Sequence, residues 1–175
     1  MSVKVAINGF GRIGRNILRA SIENNREDIE VVAINDLGSP EMNLHLLKYD
    51  SVHGRFPLEL SLHKNYIKVN NAEIEITAEK DPAKLPWSEV DVALECTGIF
   101  TDKEKASLHL KNGSKKVLIS APASNVDRTV VFGVNHKSLT SNDVIVSNAS
   151  CTTNCLAPVV KVLNENFGIE VGYMT

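Results

Sequence analysis

Apolar positions along this chain follow two rhythms. Val3, Val5, Ala6 and Ile7 make a short run rich in β-branched residues that breaks at Asn8-Gly9-Phe10-Gly11-Arg12-Ile13-Gly14. Beyond the break, Ile13, Ile17, Leu18 and Ile22 recur at helical spacing, and a second apolar run covers residues 29–34. That order predicts strand, glycine turn, helix, strand, which is a βαβ unit. The stretch "EMNLHLLKYD" predicts a helix with Met42, Leu46 and Leu47 on one side. Residues 56–77 read as short antiparallel strands broken near Lys64-Asn65 and Asn70-Asn71. "DVALECTG" reads as a buried strand ending in a turn, and "TDKEKASLHLKNG" as a helix opened by a Thr101-x-x-Glu104 capping box and stopped at Gly113. "KKVLIS", "TVVFGV" and "DVIVS" are further expected strands. A helix is expected over residues 151–167, ended by Gly168, with Pro158 marking a kink or a late first turn, and a last strand over residues 169–175. No repeat or low-complexity tract interrupts the alternation. Strands alternating with helices indicate an α/β fold with a mainly parallel sheet and helices on both faces.

Composition narrows this only a little. A chain of 175 residues holds one domain with a real core. A hydrophobic share of 43% and a charged share of 23% are ordinary for a globular protein. A net charge of −2 gives no pull toward nucleic acid or anionic membrane. No apolar run approaches the roughly 18 residues of a membrane span. The opening "MSVKVAINGFGRIGR" lacks the pattern of a secretory signal, so an intracellular, reducing compartment is the expectation. Three cysteines, an odd number, argue against a disulfide framework.

The first break carries chemistry. Gly9-x-Gly11-x-x-Gly14 follows a strand, opens a helix and lies within a βαβ unit, and Asp36 falls 22 residues after Gly14 at the end of the second strand. Gly9 is expected to make the tight turn, Gly11 to let a pyrophosphate approach the backbone, and Gly14 to let helix and sheet pack closely. The helix N-terminus then offers free N–H groups and a partial positive charge to the phosphates. Asp36 is placed to accept hydrogen bonds from both ribose hydroxyls and to repel a 2′-phosphate, which favours NAD over NADP. These features together specify a doubly wound, Rossmann-type dinucleotide fold. Arg12, at the helix start, reads equally as a pyrophosphate contact or a solvated arginine.

"SNASCTTNC" carries the second candidate. Cys151 follows a strand and opens a helix, where helix dipole and free N–H groups favour a thiolate. Ser150, Thr152 and Thr153 surround it with hydroxyls able to hold an oxyanion or a phosphate. A nucleophilic thiol is the favoured reading of Cys151, with an inert capping-turn residue as the alternative. Cys155 lies one turn further on and reads as a small buried hydrophobe. A metal shared by the two lacks further ligands at suitable spacing, since His45, His53, His63, His109 and His136 are scattered. Cys96 reads as structural. A thiol nucleophile behind a dinucleotide domain suggests oxidation of an aldehyde: thiol addition, hydride transfer to a nicotinamide, and a thioester left on sulfur.

Taken together, "KVAINGFGRIGR", "VVAIND", "HLLKYDSVHGRF", "CTGIFT", "KKVLISAPA", "GVNH" and "SNASCTTNCLAP" resemble the phosphorylating glyceraldehyde-3-phosphate dehydrogenase family over nearly the whole chain. The resemblance implies a cytoplasmic, homotetrameric enzyme of glycolysis that oxidises glyceraldehyde 3-phosphate with NAD and inorganic phosphate to 1,3-bisphosphoglycerate. It makes Cys151 the nucleophile, with Ser150 and Thr152 holding phosphate and substrate. It places Asn8, Arg12 and Ile13 along the cofactor, Asp36 on the adenosine ribose, Thr97, Gly98 and Phe100 at the cofactor's border, and Ser120 close by. Lys80 stands where the family commonly has an arginine on the adenine side, and Cys96 where it often has serine.

The resemblance also implies a catalytic histidine shortly beyond Thr175 and a substrate-binding second domain. Residues 1–150 are thus expected to form the NAD-binding Rossmann domain. Residues 151–175 are expected to form the active-site helix and first strand of a catalytic domain otherwise missing, and the isolated chain is expected to be inactive. The alternatives are the related erythrose-4-phosphate dehydrogenase, from which Asp36 in "IND" leans away, and a non-catalytic nucleotide-binding module.

Overall fold

A computed structural model of the chain describes residues 2–70 and 72–175. It begins with strand β1 (Val3–Asn8), helix α1 (Arg12–Glu23) and strand β2 (Ile29–Asn35). Helix α2 (Pro40–Lys48) follows, capped by Ser39, whose hydroxyl accepts the Met42 N–H. A two-residue pair, β3 (Tyr49–Asp50) and β4 (Gly54–Arg55), then leads to β5 (Leu60–His63), β6 (Tyr66–Val69) and β7 (Ala72–Thr77). The second half holds β8 (Val92–Glu95), short helices α3 (Lys103–Ala106) and α4 (Leu108–Lys111), β9 (Lys116–Ile119), β10 (Arg128–Thr129), β11 (Ile145–Ser147) and helix α5 (Cys151–Phe167).

Nine strands form one sheet in the order β10-β11-β9-β8-β1-β2-β7-β6-β5. All neighbours are parallel except within the β5-β6-β7 meander. The period-2 alternation of a strand divides the core. Val5, Ile7 and Ile34 face α1 and α2 and pack with Phe10, Leu18 and Leu47. Ala6, Ala33 and Ala93 point to the other face, under Leu85, Trp87 and Val90. Ala106 of α3 packs there too, against Val117, Ile119 and Ile145. Small alanines on the second face leave room for the large Trp87 ring.

The chain leaves β1 toward β2 across one face, and leaves β8 toward β9 across the other. Right-handed crossovers running in opposite directions open a crevice at the carboxyl ends of β1 and β8. The expected α/β doubly wound fold is therefore present.

Several local expectations change. Leu47 is buried as expected, but Met42 is exposed and Asn43 is buried in its place. The helix expected after Thr101 is two short helices meeting at Ser107, and its cap is Asp102, whose carboxylate accepts the Glu104 N–H. Asp102 wins because Ser124 and Asn125 bind its second oxygen and hold it in place. Of "TVVFGV", only Thr129 lies in a strand, the end of β10 paired with β11, and Val130 adds one further bond from its N–H to Ser147 O. The chain then turns at Gly133 (φ 82°), so Val130 and Val131 serve as buried plugs. Residues 169–175 form no strand, because no neighbouring strand offers them a ladder. Lys64 and Asn70, at the expected breaks of the meander, are both left-handed (φ 53° and 51°); Asn71 lies outside the described residues. Helix α5 runs through Pro158 and stops at Gly168 (φ 72°).

Candidate functional site

Three glycines shape the end of β1, each for a different reason. Gly9 has φ 91°, and a Cβ there would sit 2.8 Å from Cys96 C and Thr97 N, against the exit of β8. At Gly14 a Cβ would lie 2.2 Å from Gly9 O, so only glycine lets α1 start this close to the loop. A Cβ at Gly11 would meet no protein atom within 4 Å, and it would project into open space. Gly11 is also the N-cap of α1 and no side chain caps it, leaving first-turn N–H groups open.

Above these glycines lies a cleft of about 510 Å³ lined by Asn8, Gly9, Gly11, Asp36, Lys80, Thr97 and Phe100, and also by Asn35, Leu37, Glu79, Cys96 and Ile99. Asp36 uses one carboxylate oxygen on the Phe10 N–H (2.7 Å) and the other on the Gly38 N–H (2.8 Å). It thus braces the glycine loop while keeping lone pairs on both oxygens for further donors. Asn35 and Glu79 carry no local signal in the sequence, since only the pairing of β2 with β7 brings them to the cleft.

A second hollow, about 370 Å³, is lined by Ile13, Ser120, Ser150 and Cys151, with Ala149, Asn154 and Cys96 among its other walls. Cys96 borders both spaces. Burial pushes its thiol up to about 11, against which a hydrogen bond from Ser120 works; the nearby Glu95 adds to the rise. Cys151 opens α5 and is exposed. Ser150 caps that helix: its Oγ accepts the Thr153 N–H (3.0 Å) and lies 2.8 Å from the Thr152 hydroxyl and 2.7 Å from that of Thr153. Ala149, in the left-handed region (φ 59°), makes the turn from β11 into α5.

Four candidates fall outside these linings. Gly14 acts through packing. Arg12 pairs with Asp50 at 3.2 Å; Asp50 is held down to about 2 chiefly by the His53 and Val52 N–H groups, with Arg12 assisting. Gly98 (φ 72°) makes the bend after Thr97, and Thr152 borders neither hollow. Cys155 is exposed, not the buried hydrophobe expected, because α5 buries none of its residues. All three cysteines are free, and no metal-holding cluster occurs among the described residues. None of the chain's histidines lines the hollow at Cys151.

Comparison with known proteins gives this geometry a lineage. Residues 3–103 match the model of the glyceraldehyde 3-phosphate dehydrogenase NAD binding domain. The chain belongs to the glyceraldehyde 3-phosphate dehydrogenase family. Residues 150–175, from the Ser150 cap of α5 onward, match the model of that family's C-terminal domain. The chain is similar to the glyceraldehyde-3-phosphate dehydrogenase of Cereibacter sphaeroides, 62% identical over all of this chain and 53% of that protein. It is 64% identical to that of Xanthobacter flavus, again over all of this chain and 53% of the relative. With the enzyme of Clostridium pasteurianum it shares 56% identity over 98% of this chain and 52% of the relative. The chain spans about half the length of the curated relatives it matches. Within the family's NAD binding domain, the glycine loop and Asp36 are the elements this structure brings to one cleft. Among the described residues, no helix is long and apolar enough to cross a membrane.

Proposed function

We propose that this chain forms the NAD-binding part, and supplies the nucleophile, of an enzyme that oxidises glyceraldehyde 3-phosphate with NAD and inorganic phosphate to 1,3-bisphosphoglycerate. Residues 1–150 make the cofactor domain, and residues 151–175 open the catalytic one. The observation that carries the reading is the adjacency of the two hollows, with Cys151 in one, the glycine loop in the other, and Cys96 shared between them.

The residues present suit a dinucleotide. Open space over Gly11 and the uncapped start of α1 fit a pyrophosphate. Asp36 offers two acceptors to ribose hydroxyls and disfavours a 2′-phosphate. Lys80 borders the adenine side, and Thr97, Phe100, Ile13 and Ser120 continue the path toward Cys151. NAD, when bound, supplies the hydride acceptor. Cys151 attacks the aldehyde carbon, forming an S–C bond and a tetrahedral oxyanion; loss of hydride leaves a thioester, and phosphate attack then releases the acyl phosphate and restores the thiol. Ser150 and Thr152 offer hydroxyls to the phosphate. The base that takes the thiol proton is assigned to the part of the relatives' length this chain does not span, as are substrate-binding groups and homotetramer formation. A cytoplasmic setting belongs to the same reading.

The test is direct. The full-length protein is expected to reduce NAD only when both glyceraldehyde 3-phosphate and phosphate are present, and C151S to lose that rate by at least about a thousandfold while still binding NAD. Undiminished turnover by C151S, or equal rates without phosphate, would sink the reading.

A further inference from the structure

Glu95 ends β8 and is fully buried. A buried carboxylate is tolerated only when its lone pairs are answered. Oε1 accepts the Thr97 N–H at 2.9 Å and the Thr97 hydroxyl. Oε2 accepts Asn8 Nδ2 at 2.7 Å and lies 2.8 Å from His109 Nε2. Since a carboxylate only accepts, Nε2 carries the proton there. His109 is equally buried and stacks on Trp87, ring centroids 5.6 Å apart with planes 8° from parallel.

Asn8 and Thr97 both line the cleft, so Glu95 grips two of its walls from beneath. The grip belongs to a longer row. Strand register places Thr77, Asn35, Asn8 and Glu95 side by side across four strand ends. The Thr77 hydroxyl donates to Asn35 Oδ1 (2.9 Å), Asn35 Nδ2 to Asn8 Oδ1 (2.8 Å), and Asn8 Nδ2 to Glu95. All donors point one way. At the far end the Glu79 backbone fixes Asn35, its N–H bonding Oδ1 and its carbonyl accepting Nδ2, both at 2.8 Å. The Asn8 amide is therefore held from both sides and has one orientation available.

We propose that Glu95 is the positioning residue of the dinucleotide cleft, fixing the Asn8 and Thr97 walls before any dinucleotide arrives because it is the acceptor-only end of this row. The inference rests on the reading of the cleft as the NAD site. A glutamine cannot replace it. If its oxygen serves the two Thr97 donors, its NH₂ faces both the His109 Nε2–H and the NH₂ of Asn8, which has no second orientation to adopt; if it is flipped, its NH₂ faces the Thr97 N–H. Aspartate at position 8 would remove the conflict with Asn8, accepting from the new side-chain amide at position 95 and from Asn35 together, while the neutral His109 ring can carry its proton on Nδ1, which has no partner among the described residues, and accept through Nε2.

The full-length protein and its E95Q, N8D and E95Q/N8D variants are compared by NAD titration, by kcat and aldehyde KM at saturating NAD, and by thermal unfolding. E95Q is expected to raise the Kd for NAD about tenfold, the effect of one unpaired buried donor. Its kcat and aldehyde KM should stay within about twofold. E95Q/N8D should bind NAD more tightly than either single variant. An E95Q that melts earlier yet binds NAD unchanged overturns the positioning role and leaves the cleft reading standing. A double variant no better than E95Q also overturns it. Unchanged protein that fails to bind NAD removes the cleft reading, and the positioning role with it. Should E95Q not fold, hydrogen exchange of the Thr97 amide in the unchanged protein decides. Protection within about threefold with and without NAD supports a wall set in advance, and a rise above about tenfold on NAD binding overturns it.

Discussion

The three cysteines differ more in surroundings than in sequence context. Cys96 sits between two hollows, but burial holds its thiol up to about 11. At pH 8 its thiolate fraction is then on the order of a hundred times below that of an ordinary cysteine. Iodoacetamide should therefore modify Cys151 and Cys155 while leaving Cys96 nearly untouched, as peptide mass mapping over time would show. Early labelling of Cys96 would mean that the wall it belongs to opens. Gly14 makes a second prediction at this scale. A methyl group there would lie 2.2 Å from a carbonyl oxygen, a contact only backbone movement relieves. G14A should lower Tm and weaken NAD binding together, whereas G11A, whose methyl meets no protein atom, should weaken NAD binding with little change in Tm.

Helices and strands here are held by polar contacts at their ends. Asp127 joins α3 to β11: its carboxylate bonds Lys103 and accepts the N–H groups of Val144 and Ile145. Those bonds, the Ile145 N–H first, pull its acidity to about 2 from the ordinary 3.8. A carboxyl group depressed in the folded state stabilises above its unfolded value and loses that contribution as pH falls through its folded one. The gap in Tm between the unchanged protein and D127N should thus be full above about pH 4 and should close toward pH 2. A gap independent of pH would contradict this. Elements of this kind were legible where the signal was local: the glycine loop, β1, β2, α1 and the stop at Gly168 all appear in the pattern of residues. What failed depended on distant partners. "TVVFGV" beyond Thr129 and residues 169–175 have strand-like composition, yet a strand exists only where a neighbour supplies a ladder. The Thr77-Asn35-Asn8-Glu95 row was invisible for the same reason, since four registers must align before those side chains meet.

At the scale of the molecule, the cleft belongs to the native state alone, so its ligand should stabilise the fold. NAD at a hundred times its Kd adds about 2.7 kcal/mol. For a domain of this size that is a Tm rise of roughly 5–10 °C. NADP at the same concentration should give a clearly smaller rise if the Asp36 carboxylate at the cleft takes the ribose as proposed; equal shifts would remove Asp36 from the specificity argument. The order of the sheet also has a consequence for how the protein comes into being. One wall of the cleft, from β1 through the glycine loop to Asp36, is built from neighbours in sequence. The other, at Glu95 and Thr97, joins Asn8 across 87 residues. Local contacts form early and distant ones wait for a large loop to close. A chain emerging from the ribosome thus assembles the glycine turn long before it can grip a dinucleotide. Affinity should appear abruptly, when β8 docks beside β1, and not build up with length.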